Sequence, residues 1–206
     1  MKHDHNIRVV LFDLGNVLVD LGDVAELCAM LNTQGAESDV WLAWLRSPAV
    51  AAFDSGKISF DKFADSLLKE VGSTLNKEVF KASFKAWPRG LFAGALDLVK
   101  AVKPEYHRAI LSNTNAAHWP RLMDEMALAG VFHSYYASHQ VGFVKPDAEI
   151  YQHVIRRLQV APEQILFVDD NQVNIDAANA MGMQAYRVKG VEEARHVLHL
   201  HGVLSN

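Results

Sequence analysis

The sequence predicts an α/β fold: a doubly wound parallel-sheet core carrying an inserted α-helical cap domain. Three observations support this. Short apolar runs rich in β-branched residues alternate with stretches of helical periodicity, as in a parallel sheet covered on both faces. The alternation fails in one long region, Leu21 to Pro88, where only helical spacing appears. Polar residues follow four of the strand-like runs, at the end of an open sheet where ligands bind.

The first run, Ile7-Arg8-Val9-Val10-Leu11-Phe12, stops abruptly at Asp13-Leu14-Gly15-Asn16, reading as a buried strand and a tight loop. Four further strands are expected over 108–111, 134–137, 165–168 and 184–188. Between them, Leu122, Met126 and Ala129 mark one helix. Ile150, Val154 and Leu158 mark another, with Pro146 suited to its first turn. The Ala-rich stretch Val173 to Met181 is a third, capped by Gly182. In the long helical region, Trp41, Leu42 and Leu45, then Phe60, Phe63 and Leu67, then Val79, Phe80 and Phe84 recur at helical spacing. Gly56, Gly72 and Pro88-Arg89-Gly90 punctuate them, so a bundle of three or four helices is expected, its aromatic stripes forming bundle core. Residues 1–20 and 91–206 are assigned to the core and 21–90 to the cap.

Composition sets the outer bounds. The 206 residues are 50% apolar, 9% aromatic and 21% charged, which is globular and excludes a disordered chain. Twenty basic against 24 acidic residues give a net charge of −4, offering no basic field for a nucleic-acid backbone. A single cysteine, Cys28, rules out an intrachain disulfide and a Cys-based zinc site, and fits a reducing compartment. The polar start, Met1 to Asn6, lacks the apolar core of a signal peptide, and no apolar stretch approaches the ~20 residues that span a bilayer. A cytoplasmic protein without membrane or nucleic-acid partners is expected.

Four loops carry the chemistry: Asp13 after the first strand, Ser112-Asn113-Thr114-Asn115 after the second, Lys145-Pro146 after the third and Asp169-Asp170-Asn171 after the fourth. Singly, each reads as ordinary turn or helix-cap chemistry. Adjacent carboxylates are different, because they repel and need a cation or another specific reason to coexist. An acid, a hydroxyl, a lysine and an acid pair at successive strand ends describe phosphoryl chemistry. A hard cation such as Mg²⁺ takes carboxylate oxygens, which Asp13 and Asp170 supply. A carboxylate also serves as a nucleophile, and Lys145, Ser112 and loop N–H groups stabilise charge on the transferred group. Spacing agrees: 33 residues separate Ser112 from Lys145 and 24 separate Lys145 from Asp169, each fitting a strand–helix–strand unit. The 99 residues from Asp13 to Ser112 exceed that by roughly 70, so the helical module is inserted there, over the carboxyl ends, where it can exclude water and select substrate.

These residues resemble the haloacid dehalogenase-like hydrolase superfamily over nearly the whole chain, whose core is Rossmann-like. Phe12-Asp13-Leu14-Gly15-Asn16-Val17-Leu18, Leu111-Ser112-Asn113, Val144-Lys145-Pro146-Asp147 and Phe167-Val168-Asp169-Asp170-Asn171 look like its four motifs in order, the fourth extended by Asn174 and Ala177-Ala178. The resemblance implies Asp13 as nucleophile and metal ligand, the Gly15 backbone carbonyl and Asp170 as further Mg²⁺ ligands, and Asp169 supporting them from behind. It implies that Ser112 and the Asn113 N–H hold the phosphate, that Lys145 binds and neutralises it, and that a small phosphorylated metabolite is the substrate. The pattern Asp-Leu-Gly-Asn-Val, with Gly56-Lys57-Ile58-Ser59, Ser112-Asn113-Thr114-Asn115 and His118, is similar to a subgroup that includes α-D-glucose-1-phosphate phosphatases.

One position departs from the family. Most of its phosphatases carry a second Asp two residues after the nucleophile as general acid/base; here Gly15 stands there. General acid–base catalysis is commonly worth 10²–10⁴-fold. Three readings follow: a leaving group that needs little protonation, such as a sugar anomeric oxygen; a substitute among Asp20, Asn16 and His118; or a low-activity phosphate-binding protein. A 2-haloacid dehalogenase shares the first motif, but it usually shows an aromatic residue at Gly15 and lacks the acid pair. A signalling receiver domain places its acid pair after the first strand, and its length does not fit. His3 and His5 read as a frayed start, His196, His199 and His201 as cations near a helix end, and His107, His133, His139 and His153 as surface or turn residues. Cys28 reads as a buried inert thiol, and Trp87-Pro88-Arg89 as the return hinge from cap to core.

Overall fold

The computed structural model describes residues 7–31 and 36–205; His3 and His5 lie outside the described residues. The chain runs through β1 (Val9–Phe12), β2 (Val19–Asp20), α1 (Val24–Leu31), α2 (Glu37–Arg46), α3 (Pro48–Asp54), α4 (Phe60–Glu70), α5 (Lys77–Ala86) and β3 (Gly90–Leu91). It continues through α6 (Ala95–Ala101), β4 (His107–Ser112), β5 (Ser134–Ala137), α7 (Ser138–Val141), α8 (Ala148–Leu158), β6 (Ile165–Asp169), α9 (Gln172–Ala180), β7 (Gln184–Arg187) and α10 (Gly190–Leu200). All five expected strands form, and they assemble into one parallel sheet in the order β5-β4-β1-β6-β7.

Period-two alternation divides each central strand between two layers. Val10 and Phe12 of β1, Ile110 of β4 and Leu166 and Val168 of β6 face α6 and α10, meeting Leu98, Val99, Ala194 and Leu198. Val9 and Leu11, Ala109 and Leu111, and Ile165 and Phe167 face α8 and α9, meeting Ile150, Tyr151, Val154, Ile175 and Ala178. Fully burying such a side chain contributes roughly 1.5–3 kcal/mol, so register is strongly specified. A one-residue slip would exchange the two faces. β1 lies at the centre, with β4 and β5 on one side and β6 and β7 on the other. The strand order reverses there, and the carboxyl ends of β1, β4 and β6 open onto one crevice.

The helical segment differs from expectation in number: among the described residues it has five helices, α1 to α5, rather than three or four. The short α3 escaped the periodicity because seven residues show barely two turns. Its start is nonetheless well marked, with Pro48 in the first turn and the Ser47 hydroxyl accepting from the Val50 N–H at 3.1 Å. Ser59 caps α4 and Asn76 caps α5 in the same way. Two of the three stripes are bundle core: Phe53 stacks on Phe63 with ring centroids 4.5 Å apart, and Phe80 and Phe84 close the same cluster. The third is not, because Trp41, Leu42 and Leu45 of α2 are exposed, as is Val79 of α5. Two further expectations shift. α8 begins at Ala148 with Asp147 before it, so Pro146 lies outside the helix. The stretch around Leu122 and Met126 is a π-helical segment, Arg121–Glu125, closed by Met126 N–H to Arg121 C=O, five residues apart.

Gly56 fixes the bundle against the core. Its φ is +71°, and a Cβ there would sit 2.2 Å from the His139 backbone oxygen in α7. Gly72 shares the left-handed backbone, at φ +64°, but faces open space. Gly72→Ala therefore bears backbone strain alone, about 1–3 kcal/mol. Gly56→Ala adds a collision with immobile backbone. We expect the thermal midpoint of Gly56→Ala to fall several degrees further than that of Gly72→Ala in parallel scanning calorimetry. Equal midpoints would mean the turn is free to swing away from α7.

Candidate active site

Each strand end delivers one group to the crevice. Asp13 follows β1 directly, and its N–H donates to the Val168 carbonyl of β6 at 2.9 Å. Ser112 closes β4 and Asp169 closes β6, both buried. Lys145 arrives on the loop before α8, latched to the β4 loop by a reciprocal pair. Its N–H donates to Asn113 Oδ1 at 2.8 Å, and Asn113 Nδ2 donates to the Lys145 carbonyl at 2.9 Å. An ordinary-looking asparagine thus fixes two motifs to one another.

The Lys145 ammonium is fully enclosed. It donates to the Leu111 carbonyl at 3.1 Å and to Asp169 Oδ2 at 2.6 Å, and lies 2.9 Å from Asp13 Oδ1. Asp169 is saturated with donors, accepting also from the Asn171 N–H at 2.8 Å and from Asn174 Nδ2 at 3.0 and 3.1 Å. Asp170 accepts from Asn16 Nδ2 at 3.0 Å. One oxygen from each of Asp13, Asp169 and Asp170 lies within 4.8 Å of the others. All seven residues named from the sequence are therefore placed: Asp13, Ser112, Asp169 and Asp170 at or just beyond strand ends, Lys145 on the loop between α7 and α8, and Gly15 and Asn113 lining a cavity.

Burial dominates the electrostatics. It pushes the Asp13 carboxyl well above the usual carboxylate range; Lys145 opposes this, while Asp169 and Asp170 add to it. Burial also raises Asp170, partly offset by Asn16. For Lys145 burial works against the charge, but Asp13 and Asp169 outweigh it and hold the ammonium above its ordinary range. Three carboxylates facing one ammonium leave two surplus negative charges in an enclosed space. A divalent cation would offset that surplus.

A cavity of about 640 Å³ is lined by Trp41, Trp44 and Trp87 from the helical segment and by Gly15, Ser112 and Asn113 from the loop after β1 and the end of β4. The substitutes proposed for the missing acid are otherwise engaged. Asp20 receives the Gly22 N–H at 2.7 Å and pairs with Arg89. Asn16 is bound to Asp170. His118 gives its Nε2 to the Phe84 carbonyl at 2.7 Å, and burial lowers its pKa to about 4, so it stays neutral. The residue that sequence reasoning missed is Asp54, which lines the cavity from α3.

Residues 7–182 match the family profile described as "Hydrolase: haloacid dehalogenase-like hydrolase". The chain belongs to that family. D-ribitol-5-phosphate phosphatase of Bacteroides thetaiotaomicron is 28% identical to this hydrolase over 93% of the chain and 97% of the relative. Glyceraldehyde 3-phosphate phosphatase of Methanopyrus kandleri is 25% identical over 89% and 84%. A HAD-family enzyme from Bacteroides thetaiotaomicron, solved as a magnesium complex, shares the fold at TM-score 0.75 and 22% identity, covering 94% of this chain and 98% of its own. The donors of this haloacid dehalogenase-like hydrolase fit such an ion: the clustered groups are all oxygens, which hard Mg²⁺ prefers, and their charge surplus is two. No described helix is long and apolar enough to cross a membrane.

Proposed function

We propose that the chain is a Mg²⁺-dependent phosphatase of a small phosphorylated metabolite, a sugar phosphate such as glucose 1-phosphate, working through a phosphorylated Asp13. The observation that carries this reading is the convergence of Asp13, Asp169, Asp170 and Lys145 on one buried cluster beside a cavity. Asp13, Asp170 and the Gly15 carbonyl would hold the cation, with Asp169 supporting them. Once bound, Mg²⁺ neutralises phosphate oxygens and the charge that develops on them. Ser112 and the Asn113 N–H hold the phosphate, and Lys145 balances its charge while fixing the orientation of Asp13.

In the first half-reaction an Asp13 oxygen attacks phosphorus, and the ester P–O bond breaks with its electron pair on the leaving oxygen. In the second, water attacks phosphorus and releases Asp13 and inorganic phosphate. Residues 21–90 serve as the substrate cap, and residues 1–20 with 91–206 as the catalytic core. The two curated relatives named for polyol and triose phosphates support a polyhydroxylated substrate. With no side chain at Gly15, protonation of the leaving group falls to a more distant residue, and an anomeric oxygen, less basic than a primary alkoxide, demands least of it.

The test is phosphate release from glucose 1-phosphate, glucose 6-phosphate and ribitol 5-phosphate, each with Mg²⁺ or with chelator. We expect the anomeric ester to be preferred and metal removal to lower turnover by roughly 10²-fold or more. Equal or better rates on the primary-alcohol esters would defeat the substrate assignment. Phosphate binding without turnover on any ester would make the chain a binding protein instead.

A further inference from the structure

We propose that Asp54, carried by the cap helix α3, is the general acid/base of the reaction, standing in for the side chain that Gly15 lacks. This rests on the phosphatase reading above. Three features bring Asp54 to the space that the strand-end loops line. It lines the 640 Å³ cavity together with Gly15, Ser112 and Asn113, and a second cavity of about 370 Å³ together with Lys145. Asn115 Nδ2, three residues beyond Ser112, donates to its Oδ1 at 3.1 Å. Gly56, two residues on, allows the end of α3 to press directly on α7 of the core.

The contacts around Asn115 explain how one oxygen is held and the other left to react. Asn115 Oδ1 accepts from the N–H groups of Ala117 and His118 at 3.2 and 3.1 Å, which fixes the amide and aims Nδ2 at Asp54. Among the described residues no hydrogen bond reaches Asp54 Oδ2. Burial raises the carboxyl to about 6, with Asn115 opposing, and the carboxyl end of α3 works in the same direction as burial. A dianionic phosphate ester in the cavity would raise it further. An acid so tuned can give and retake a proton near neutrality. Meanwhile the position that most family members fill with an acid is filled here by apolar bulk: a Cβ on Gly15 would lie 2.9 Å from Leu21 Cδ1.

The proton inventory closes over the two half-reactions. As Asp13 attacks and the ester P–O bond breaks, the departing alkoxide takes the proton of Asp54 and leaves as an alcohol. Asp54, now a carboxylate, takes a proton from the water that attacks phosphorus. The bond between phosphorus and Asp13 breaks, inorganic phosphate leaves, and Asp54 is protonated again.

A proton donor matters in proportion to the basicity of the leaving group, a signature that a merely structural residue lacks. The experiment compares wild type and Asp54→Asn on p-nitrophenyl phosphate, glucose 1-phosphate and ribitol 5-phosphate by kcat/KM with Mg²⁺. We expect a graded loss: largest for the primary-alcohol ester, on the order of 10²–10³-fold, intermediate for the anomeric ester and smallest for the aryl ester. An equal loss on all three, or no loss on any, overturns the assignment. Should the variant fold poorly, the wild type alone decides across a series of substituted phenyl phosphates. A shallow dependence on leaving-group basicity supports the acid, and a steep one removes it. Failure of the phosphatase reading itself looks different, because wild type would then release phosphate from no ester.

Discussion

Asp13→Asn should lose phosphatase turnover by on the order of 10⁴-fold or more, comparable with removal of other covalent nucleophiles, yet fold at least as stably as wild type. The two halves share one cause. The Asp13 carboxylate is buried beside two further carboxylates, and its raised pKa means that its ionised form is disfavoured by the fold. Asn fills the same volume and removes one of the clashing charges. It also removes the oxygen that attacks phosphorus. Side-by-side calorimetry and phosphate release check both halves. Turnover surviving in the variant would end the nucleophile assignment, and a large drop in melting temperature would mean that Asp13 holds the fold together through Lys145.

The second large effect is the reverse. Lys145→Ala should destabilise the chain by about 3–5 kcal/mol, because the ammonium it removes is the counter-charge of two enclosed carboxylates. The side chain is only 2% exposed, so water cannot easily replace it. Lys145→Arg should not rescue it, since a planar guanidinium cannot reproduce a point charge bonded at once to Leu111, Asp13 and Asp169. Added Mg²⁺ should raise the melting temperature of Lys145→Ala more than that of wild type, because the variant has the larger unbalanced charge. Equal metal responses would show that the cation does not bind at this cluster.

How far the sequence predicts this protein depends on where the determining interactions lie. The sheet was legible because both of its faces are covered, which forces continuous apolar runs at Val9–Phe12 and Ile165–Val168 that resemble nothing else in the chain. The loop chemistry was legible because charged groups ending such runs are conspicuous. The count of cap helices was not, because α3 is short and its identity depends on the Ser47 cap and on stacking of Phe53 against Phe60 and Phe63. The π-helical turn at 121–125 was invisible for a similar reason: Leu122 and Met126 satisfy ordinary helical spacing whichever ladder closes between them. Asp54 was missed because its placement depends on a neighbour 61 residues away, Asn115, and on the glycine that lets the end of α3 press on α7. No local pattern encodes such a meeting.

The pairing of Val19 with Leu91 and of Asp20 with Gly90 has an architectural consequence. The segment strung between those residues leaves and re-enters the core through one short ladder, so its two attachment points lie side by side. Each doubling in length of such a lobe adds only about 0.6 kcal/mol of closure entropy, and units whose ends meet are the ones that tolerate exchange. The nucleophile strand and its neighbours can therefore stay fixed while the overhanging lobe is enlarged, trimmed or swapped. New chemistry of recognition is open to this scaffold through one graft.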